Sequence, residues 1–356
     1  MVELKRDIRS MDLDELKEYF AKIGEKPFRA GQVYDWLHVK LAASFDEMTN
    51  ISKDLREKLK QEWPEAPISL HQRFKSKLDG TEKYLFRLRD GQIIESVLMR
   101  YHFGNSVCIT SQAGCRMGCK FCASTLLGLE RNLEPAEMLM QVYYIQKITG
   151  ERVSNIVVMG IGEPMDNYDN LMRFLRIITG EKGLNIGARQ ITVSSCGLAD
   201  KIRKFADEGL AINLALSLHA PNAEIRKSIM PIANAYELGD VLDAVDYYYK
   251  QHGRRITFEY SLISGINDSD KNAEELSRLL GKKYKFSGNM LINLIPVNEV
   301  KERGMKRPDE KRVESFRRVL DKNGINATVR RELGSDINAA CGQLRLNTMR
   351  EEKKSE

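Results

Sequence analysis

Three cysteines in the first half of the chain are spaced so that they could ligate a metal cluster. Cys115, Cys119 and Cys122 form a C-x3-C-x2-C pattern within residues 114–122. Three thiolates on one irregular loop can bind three corners of a cubane iron–sulfur cluster and leave the fourth iron open to a small molecule. The alternative is a structural zinc loop, which usually takes four ligands, and no second Cys or His pair follows. The spacing therefore favours the iron–sulfur cluster.

The residues around these cysteines also suit a cluster. Arg116 and Lys120 lie beside the thiols in sequence, and we expect their positive charges to favour the thiolate form. Three of the six cysteines in 356 residues are grouped here, which argues against a disulfide framework and for metal or redox chemistry.

Polar residues follow several apolar runs further along the chain. Gly162 and Glu163 lie in the segment Gly-Ile-Gly-Glu-Pro at 160–164, where the glycines permit close approach and the carboxylate can accept from an ammonium. A lone glycine turn is more often a tight connection. Serine, histidine and asparagine suit ribose hydroxyls, a carboxylate or adenine, although singly each is more typical of a loop or cap. The candidates of this kind are Ser194, Ser217, His219 and Asn298, with Leu218 between two of them.

Three more residues could react, although each has a simpler interpretation. Cys341 lies among Ala339, Ala340 and Gly342, whose small side chains leave its sulfur accessible. Cys341 and Cys108 could equally be buried cysteines acting as small apolar residues. Glu95 is a carboxylate within an apolar strand, and it could simply face solvent.

The elements that must position these residues fall into two patterns. The first 65 residues predict short helices at 13–20, 28–37 and 52–59, the last capped by Ser52, and so a small helical accessory domain. Residues 66–100 predict a β-hairpin extension, because alternating runs at 82–89 and 92–99 flank Asp90-Gly91.

From residue 101 to 345 strands alternate with helices. This pattern predicts an α/β fold with a parallel sheet, and six repeats fit an open partial (β/α)6 barrel. Ligands should gather at the carboxyl ends of its strands. We expect the tail, 346–356, to be disordered. The six strands are predicted near 107–111, 155–159, 190–194, 210–217, 255–260 and 290–295, with a possible further one at 326–330.

Composition narrows the class of protein. The chain is 42% hydrophobic and 30% charged, with no signal-peptide core and no apolar run of membrane-spanning length, so we expect a cytoplasmic protein. The net charge of +6 fits an anionic partner without requiring one. Residues 301–350 carry 13 Lys and Arg against 7 Asp and Glu.

The cysteine pattern is the signature of the radical S-adenosylmethionine (SAM) superfamily. Together with the segments at 28–33, 108–115, 159–167, 217–221 and 336–344, it makes the chain resemble the RlmN family across nearly its whole length. The resemblance implies a radical SAM fold and methylation of carbon 2 of an adenine in 23S rRNA and in certain tRNAs.

The resemblance also implies a mechanism and roles for the candidate residues. Cys115, Cys119 and Cys122 would hold the 4Fe-4S cluster, with SAM on the open iron and contacted by Gly162, Glu163, Ser194, Ser217, Leu218, His219 and Asn298. One SAM would methylate Cys341, and a second would yield a 5′-deoxyadenosyl radical that activates the S-methyl group for addition to adenine. Cys108 would then release the product by forming a disulfide with Cys341. Glu95 matches the family's proposed proton acceptor, but either Glu95 or Cys108 could take the ring proton.

The same resemblance implies an external electron donor such as flavodoxin or ferredoxin, no membrane partner, and a monomer.

Two alternatives stay open. The sister family, Cfr, methylates carbon 8 and shares both cysteines and the cluster, although it tends to replace the proline that follows Glu163 here. An iron–sulfur RNA-binding protein without transferase activity would use the helical segment and the basic residues of the C-terminal third of the chain equally well. That alternative leaves Cys341 and Cys108 without a purpose.

Overall fold

Short helices build the beginning of the chain in the computed structural model, which describes residues 6–63, 66–284, 289–300, 302–337 and 339. Ser52 caps the third helix as predicted, because its Oγ accepts from the Leu55 N–H at 3.4 Å. The helices pack on each other around a core of their own that includes Phe20, Leu37 and Trp63. They are α1 (Leu13–Lys22), α2 (Pro27–His38) and α3 (Lys53–Glu62).

Three antiparallel strands follow: β1 (Ile68–Lys75), β2 (Glu82–Leu88) and β3 (Ile93–Tyr101). The predicted hairpin forms between β2 and β3, with Gly91 at φ +83° in the turn. The hairpin is continuous with the main sheet, because β3 pairs antiparallel with β4 (Gly104–Cys108). This pairing brings residues of the hairpin to the edge of the parallel sheet.

A short pair of strands and a parallel sheet make up the rest. Strands β5 (Gln112–Gly114) and β6 (Leu129–Asn132) pair separately and antiparallel, and the cysteine loop connects them. All six predicted parallel strands form, and 326–330 contributes a seventh. They are β4 and then β7 (Val153–Val158), β8 (Ile191–Ser195), β9 (Asn213–Ser217), β10 (Ile256–Leu262), β11 (Met290–Pro296) and β12 (Ala327–Val329).

The parallel strands lie side by side in chain order. Within the described part of the chain β1 and β12 are the two edges of the sheet and do not pair with each other, so the sheet is open. Helices connect successive parallel strands and cover the sheet with one large apolar core. Within the described ranges no helix is long and apolar enough to span a membrane. The connecting helices are α4 (Pro135–Thr149), α5 (Tyr168–Thr179), α6 (Ala199–Asp207), α7 (Ala223–Ile229), α8 (Leu238–His252), α9 (Asp270–Arg278) and α10 (Glu310–Lys322).

Candidate active site

A single cavity of about 510 Å3 opens at the carboxyl edge of the parallel sheet. Parallel strands all end at the same edge, so residues far apart in sequence meet there. Of the described candidate site residues, all but Leu218 line this cavity; Cys341 lies outside the described residues. The lining candidates are Glu95, Cys108, Cys115, Cys119, Cys122, Gly162, Glu163, Ser194, Ser217, His219 and Asn298.

The cysteine loop is closed at its base by the β5–β6 pair. The Cys115 N–H donates to the Gly128 carbonyl at 2.8 Å, across the two ends of the loop. Inside the loop, Thr125 Oγ1 donates to the carbonyls of Cys119 and Cys122 at 3.1 and 2.9 Å. These bonds hold the backbone around the three cysteines, which line the cavity.

The three thiols fit a cluster better than a single ion. No three of the described Cys, His, Asp and Glu side chains converge on a point where one metal ion could bind. A cubane cluster has no such requirement, because each thiolate binds a different iron. Cys115, Cys119 and Cys122 all line the same cavity, as three ligands of one cluster would have to.

Arg116 acts electrostatically on Cys115 as expected, but burial outweighs its effect on the pKa of the thiol. Its guanidinium pairs with Asp166, with Nε 2.9 Å from Oδ2, because this carboxylate lies within its reach. Burial instead raises the pKa of Cys115 to about 12 and also raises the pKa of Cys119. A coordinating metal deprotonates a thiol outright, so the thiolate form would come from the metal rather than from Arg116.

Glycines let the turn after β7 approach the cysteine segment closely. Gly162 has φ +105°, and a Cβ there would meet the Gln112 side chain at 2.6 Å. The neighbouring Glu163 is buried, and burial raises the pKa of its carboxyl. Its two oxygens accept from the N–H groups of Met165 and Cys196 at 3.1 and 2.7 Å. The carboxylate is thus held rigidly at the cavity wall with acceptor capacity left over.

His219 is held as a neutral ring beside the cavity. Its Nδ1 accepts from the Ser261 N–H at 2.9 Å, so the hydrogen of the neutral ring lies on Nε2. Burial, with the nearby Arg226, lowers its pKa to about 3. The ring packs edge to face on Phe121 of the cysteine loop, with centroids 4.8 Å apart. Histidine thus offers one fixed donor at any neutral pH.

The other residues expected to hold SAM differ in their placement. Ser194 Oγ donates to the Val158 carbonyl at 3.0 Å, between neighbouring strands. Ser217 ends β9, and Asn298 follows β11. The Leu218 side chain is fully buried and does not line the cavity, and its N–H donates to the Glu259 carbonyl at 3.0 Å.

Glu95 and Cys108 lie on one face of two adjacent strands. Cys108 pairs with Val97 across β3 and β4, and Glu95 is two residues before Val97. Residues two apart on a strand share a face, so both side chains point to the cavity. Glu95 is only 7% exposed, which excludes the simpler interpretation that it faces solvent.

No disulfide links any two of the described cysteines. Cys341 lies outside the described residues, while Ala339, two positions before it, lines the cavity.

Two cavity residues were missed by the sequence reasoning. Cys196 follows β8 and lines the cavity, and its position after a strand end was a usable signal. Glu259 is a buried carboxylate within β10, and Asn293 Nδ2 lies 3.0 and 3.3 Å from its two oxygens. Burial raises the pKa of Glu259. An acid within an apolar strand is the same signal that singled out Glu95, so the sequence did contain it.

Comparison with known proteins identifies two family segments. Residues 6–63 match the ribosomal RNA large subunit methyltransferase N-terminal domain, and residues 109–276 match the radical SAM superfamily. The chain is 60% identical over 341 residues to the probable dual-specificity RNA methyltransferase RlmN of Lachnoclostridium phytofermentans, covering 96% of this chain and 94% of that protein. The corresponding protein of Lachnospira eligens is 58% identical over 96% of this chain and 97% of its own length.

A solved structure has the same fold over almost the whole chain. The crystal structure of a radical SAM methyltransferase from Sphaerobacter thermophilus superposes with a TM-score of 0.90 at 42% identity. The match covers 95% of this chain and 98% of that one. The likeness therefore includes the helical beginning, the hairpin and the parallel sheet together.

Proposed function

This chain belongs to the RlmN family of radical SAM RNA methyltransferases, and we propose that it methylates carbon 2 of a specific adenosine in 23S rRNA and of an adenosine in tRNAs. The observation that carries the proposal is the shared cavity. Glu95, Cys108 and the three loop cysteines line it together with Ala339, the neighbour of the Cys341 segment. A methyl carrier, a resolving thiol and a radical source must all reach one carbon atom, and a single cavity meets that requirement.

Residues at the carboxyl edge would hold the cofactors. Cys115, Cys119 and Cys122 would ligate a 4Fe-4S cluster, and SAM would lie against Gly162, Glu163, Ser194, Ser217, Leu218, His219 and Asn298. When bound, this pair supplies a 5′-deoxyadenosyl radical, while another SAM supplies the methyl group. Neutral His219 would donate from Nε2. Leu218 would contribute its carbonyl, since its N–H is already used.

The chain's own residues would carry the methyl group and release the product. The Cys341 thiolate would take a methyl group as S-methylcysteine. This methyl group would give up one hydrogen atom, its carbon would bond to carbon 2 of adenine, and the adduct would lose one electron to the cluster and the ring proton to a base. Cys108 then attacks the Cys341 sulfur, a disulfide forms, and the electron pair of the broken carbon–sulfur bond stays with the new methyl carbon, which takes a proton. Either Glu95 or Cys108, which share one face of β3 and β4, would take the ring proton.

The remaining assignments follow from the same function. We expect the helical segment, 1–65, to contact RNA, because its match is to a domain of ribosomal RNA methyltransferases. The cluster would need an external electron donor such as flavodoxin or ferredoxin. The enzyme would act as a monomer in the cytoplasm, where its RNA substrates are found.

Mass spectrometry of the modified nucleoside tests the proposal. The cluster-loaded protein is incubated with SAM, a reductant and either protein-free 23S rRNA or unmodified tRNA, and the digested RNA is compared with 2-methyladenosine and 8-methyladenosine standards. We expect 2-methyladenosine from both RNAs and none from the same reaction without reductant. 8-Methyladenosine would instead identify a carbon-8 enzyme of the Cfr type, and no methyladenosine under reducing conditions would overturn the proposal.

A further inference from the structure

An exposed pair of stacked aromatic rings stands at the rim of the cavity, in the turn between β3 and β4. The rings of Tyr101 and Phe103 are nearly parallel, with an interplanar angle of 7° and centroids 4.8 Å apart. Tyr101 lines the cavity, whereas Phe103 is 61% exposed. The pair therefore continues the cavity wall outwards and ends in the exposed ring of Phe103.

The turn holds this pair rigidly. Tyr101 pairs with Gly104 across the two strands, and Gly104 has φ +124°. A Cβ at Gly104 would meet Ser154 Oγ at 2.8 Å, so the turn is pressed against the start of β7. His102 adds an edge-to-face contact with Phe103 at 5.1 Å. A rigid ring loses little conformational entropy when a ligand stacks on it.

Two arginines act electrostatically on Tyr101 of the pair, and Asp79 acts on it with the opposite sign. Arg330 and Arg331 line the cavity and act electrostatically on Tyr101. Arg331 is exposed, and Arg307, also at the cavity, pairs with Glu332 at 2.9 Å. Parallel aromatic rings beside exposed guanidinium groups suit a nucleobase with its adjoining phosphate, because bases stack and phosphates pair with arginine.

We propose that Phe103 and Tyr101 form a stacking platform for the unpaired RNA base next to the target adenine, with Arg331 facing its phosphate. The proposal rests on the proposed function. An adenine that enters a cavity must leave its stack, which costs free energy and exposes the face of its neighbour. An aromatic side chain at the cavity rim replaces the lost stacking partner.

Binding of labelled RNA tests the platform. Fluorescence anisotropy compares a fluorescein-labelled stem-loop with one loop adenine against the same RNA made abasic on both sides of that adenine. We expect Phe103→Ala to weaken binding of the first RNA by roughly five- to a hundred-fold and to leave binding of the abasic RNA unchanged. Phe103→Trp should keep the affinity. Leu70→Ala, which removes an exposed apolar side chain from edge strand β1, should have no effect on either RNA.

The same assay distinguishes the contribution of the Arg331 charge to RNA binding from that of stacking on Phe103. Arg331→Gln should weaken the binding of both RNAs equally and reduce the slope of log affinity against log salt concentration by about one. Phe103→Ala should leave that slope unchanged. If Phe103→Ala lowered the affinity for both RNAs equally, or for neither of them, the platform proposal would be overturned.

Two further outcomes distinguish the sources of a failure. Unchanged RNA affinity with a raised KM for a flavodoxin-type reductant would overturn the platform and assign the aromatic pair to a protein partner. If the wild-type protein methylates adenine while Phe103→Ala binds RNA normally, the platform alone fails. If the wild-type protein yields no methyladenosine, the proposed function itself fails.

Discussion

The carboxylate of Asp336 accepts a hydrogen bond from Ser76 Oγ at 2.7 Å, between residues 260 positions apart. It also accepts from the Lys77 N–H at 2.9 Å. Asp79 in the same turn accepts from the Gly334 N–H at 2.9 Å, and Lys83 Nζ donates to the Ile337 carbonyl. The turn between β1 and β2 thus fastens residues 334–337, the stretch that leads to Cys341.

Asp336→Ala should slow methyl transfer without affecting the cluster. Loss of the anchor lets the segment before Cys341 move, and misplacement of a reacting group by about 1 Å can cost on the order of a hundred-fold in rate. We expect kcat to fall about ten- to a hundred-fold, with KM for RNA and iron content unchanged. Asp169→Ala, which removes an exposed carboxylate of α5 that pairs with Lys204 at 3.7 Å and does not line the cavity, is the control and should keep full kcat. Equal rates in both variants would show that the anchor has no role in catalysis.

Lys83→Met should change how stability depends on alkaline pH. Burial lowers the pKa of Lys83 to about 8, despite the attraction of Glu95. Below pH 8 the buried ammonium costs stability; above it the folded protein loses this proton before the unfolded chain, whose lysine pKa is about 10.4. The free energy of unfolding of the wild type should therefore rise relative to Lys83→Met between pH about 8 and 10.4. Urea unfolding at several pH values measures the difference, and parallel curves would contradict the assignment.

Cys119→Ser and Cys196→Ser should differ sharply in cluster content, although both residues are buried and line the same cavity. Cys119 lies in the three-cysteine loop, so its loss removes a thiolate that the cluster needs. We expect the visible absorbance of the cluster and all methyl transfer to disappear in Cys119→Ser. Cys196→Ser should keep its iron and sulfide. Loss of iron from both variants would show that Cys196 also supports the cluster.

Cys341→Ala should abolish methyl transfer while the cluster and formation of 5′-deoxyadenosine from SAM stay largely intact. The reason is that the variant lacks the sulfur that would carry the methyl group in the proposed mechanism, whereas the three loop cysteines are unchanged. Quantification of both products by mass spectrometry from one reaction checks this. Full methyl transfer by Cys341→Ala would exclude the methyl-carrier mechanism.

Cys108→Ala should trap a covalent protein–RNA adduct. In the proposed mechanism Cys108 is the resolving thiol, so without it the carbon–sulfur bond between Cys341 and the methylated adenine would not be broken by disulfide formation. Denaturing gel electrophoresis with labelled RNA should show a slow band that is absent from the wild type and from Cys108→Ala/Cys341→Ala. Normal turnover with only unattached RNA would remove Cys108 from this role.

Local patterns in the sequence were enough for much of the fold. The cap at Ser52, the Asp90-Gly91 turn and the alternation of strands and helices each depend on residues close together in the chain. The rule that parallel strands end at one edge then brought most candidate residues into one cavity. Leu218 is the exception among the described candidates, because its side chain is buried in the core and does not line the cavity.

The sequence by itself determined the cysteine spacing, the order of the elements and the edge at which the candidate residues gather, because these depend on short-range periodicity and on a general rule of parallel sheets. Only the tertiary structure decided that Glu95 turns inward beside Cys108, that Arg116 binds Asp166, and that Asp336 binds Ser76. These outcomes depend on strand register and on contacts between distant segments, and such contacts are set by packing of the whole chain rather than by neighbouring residues.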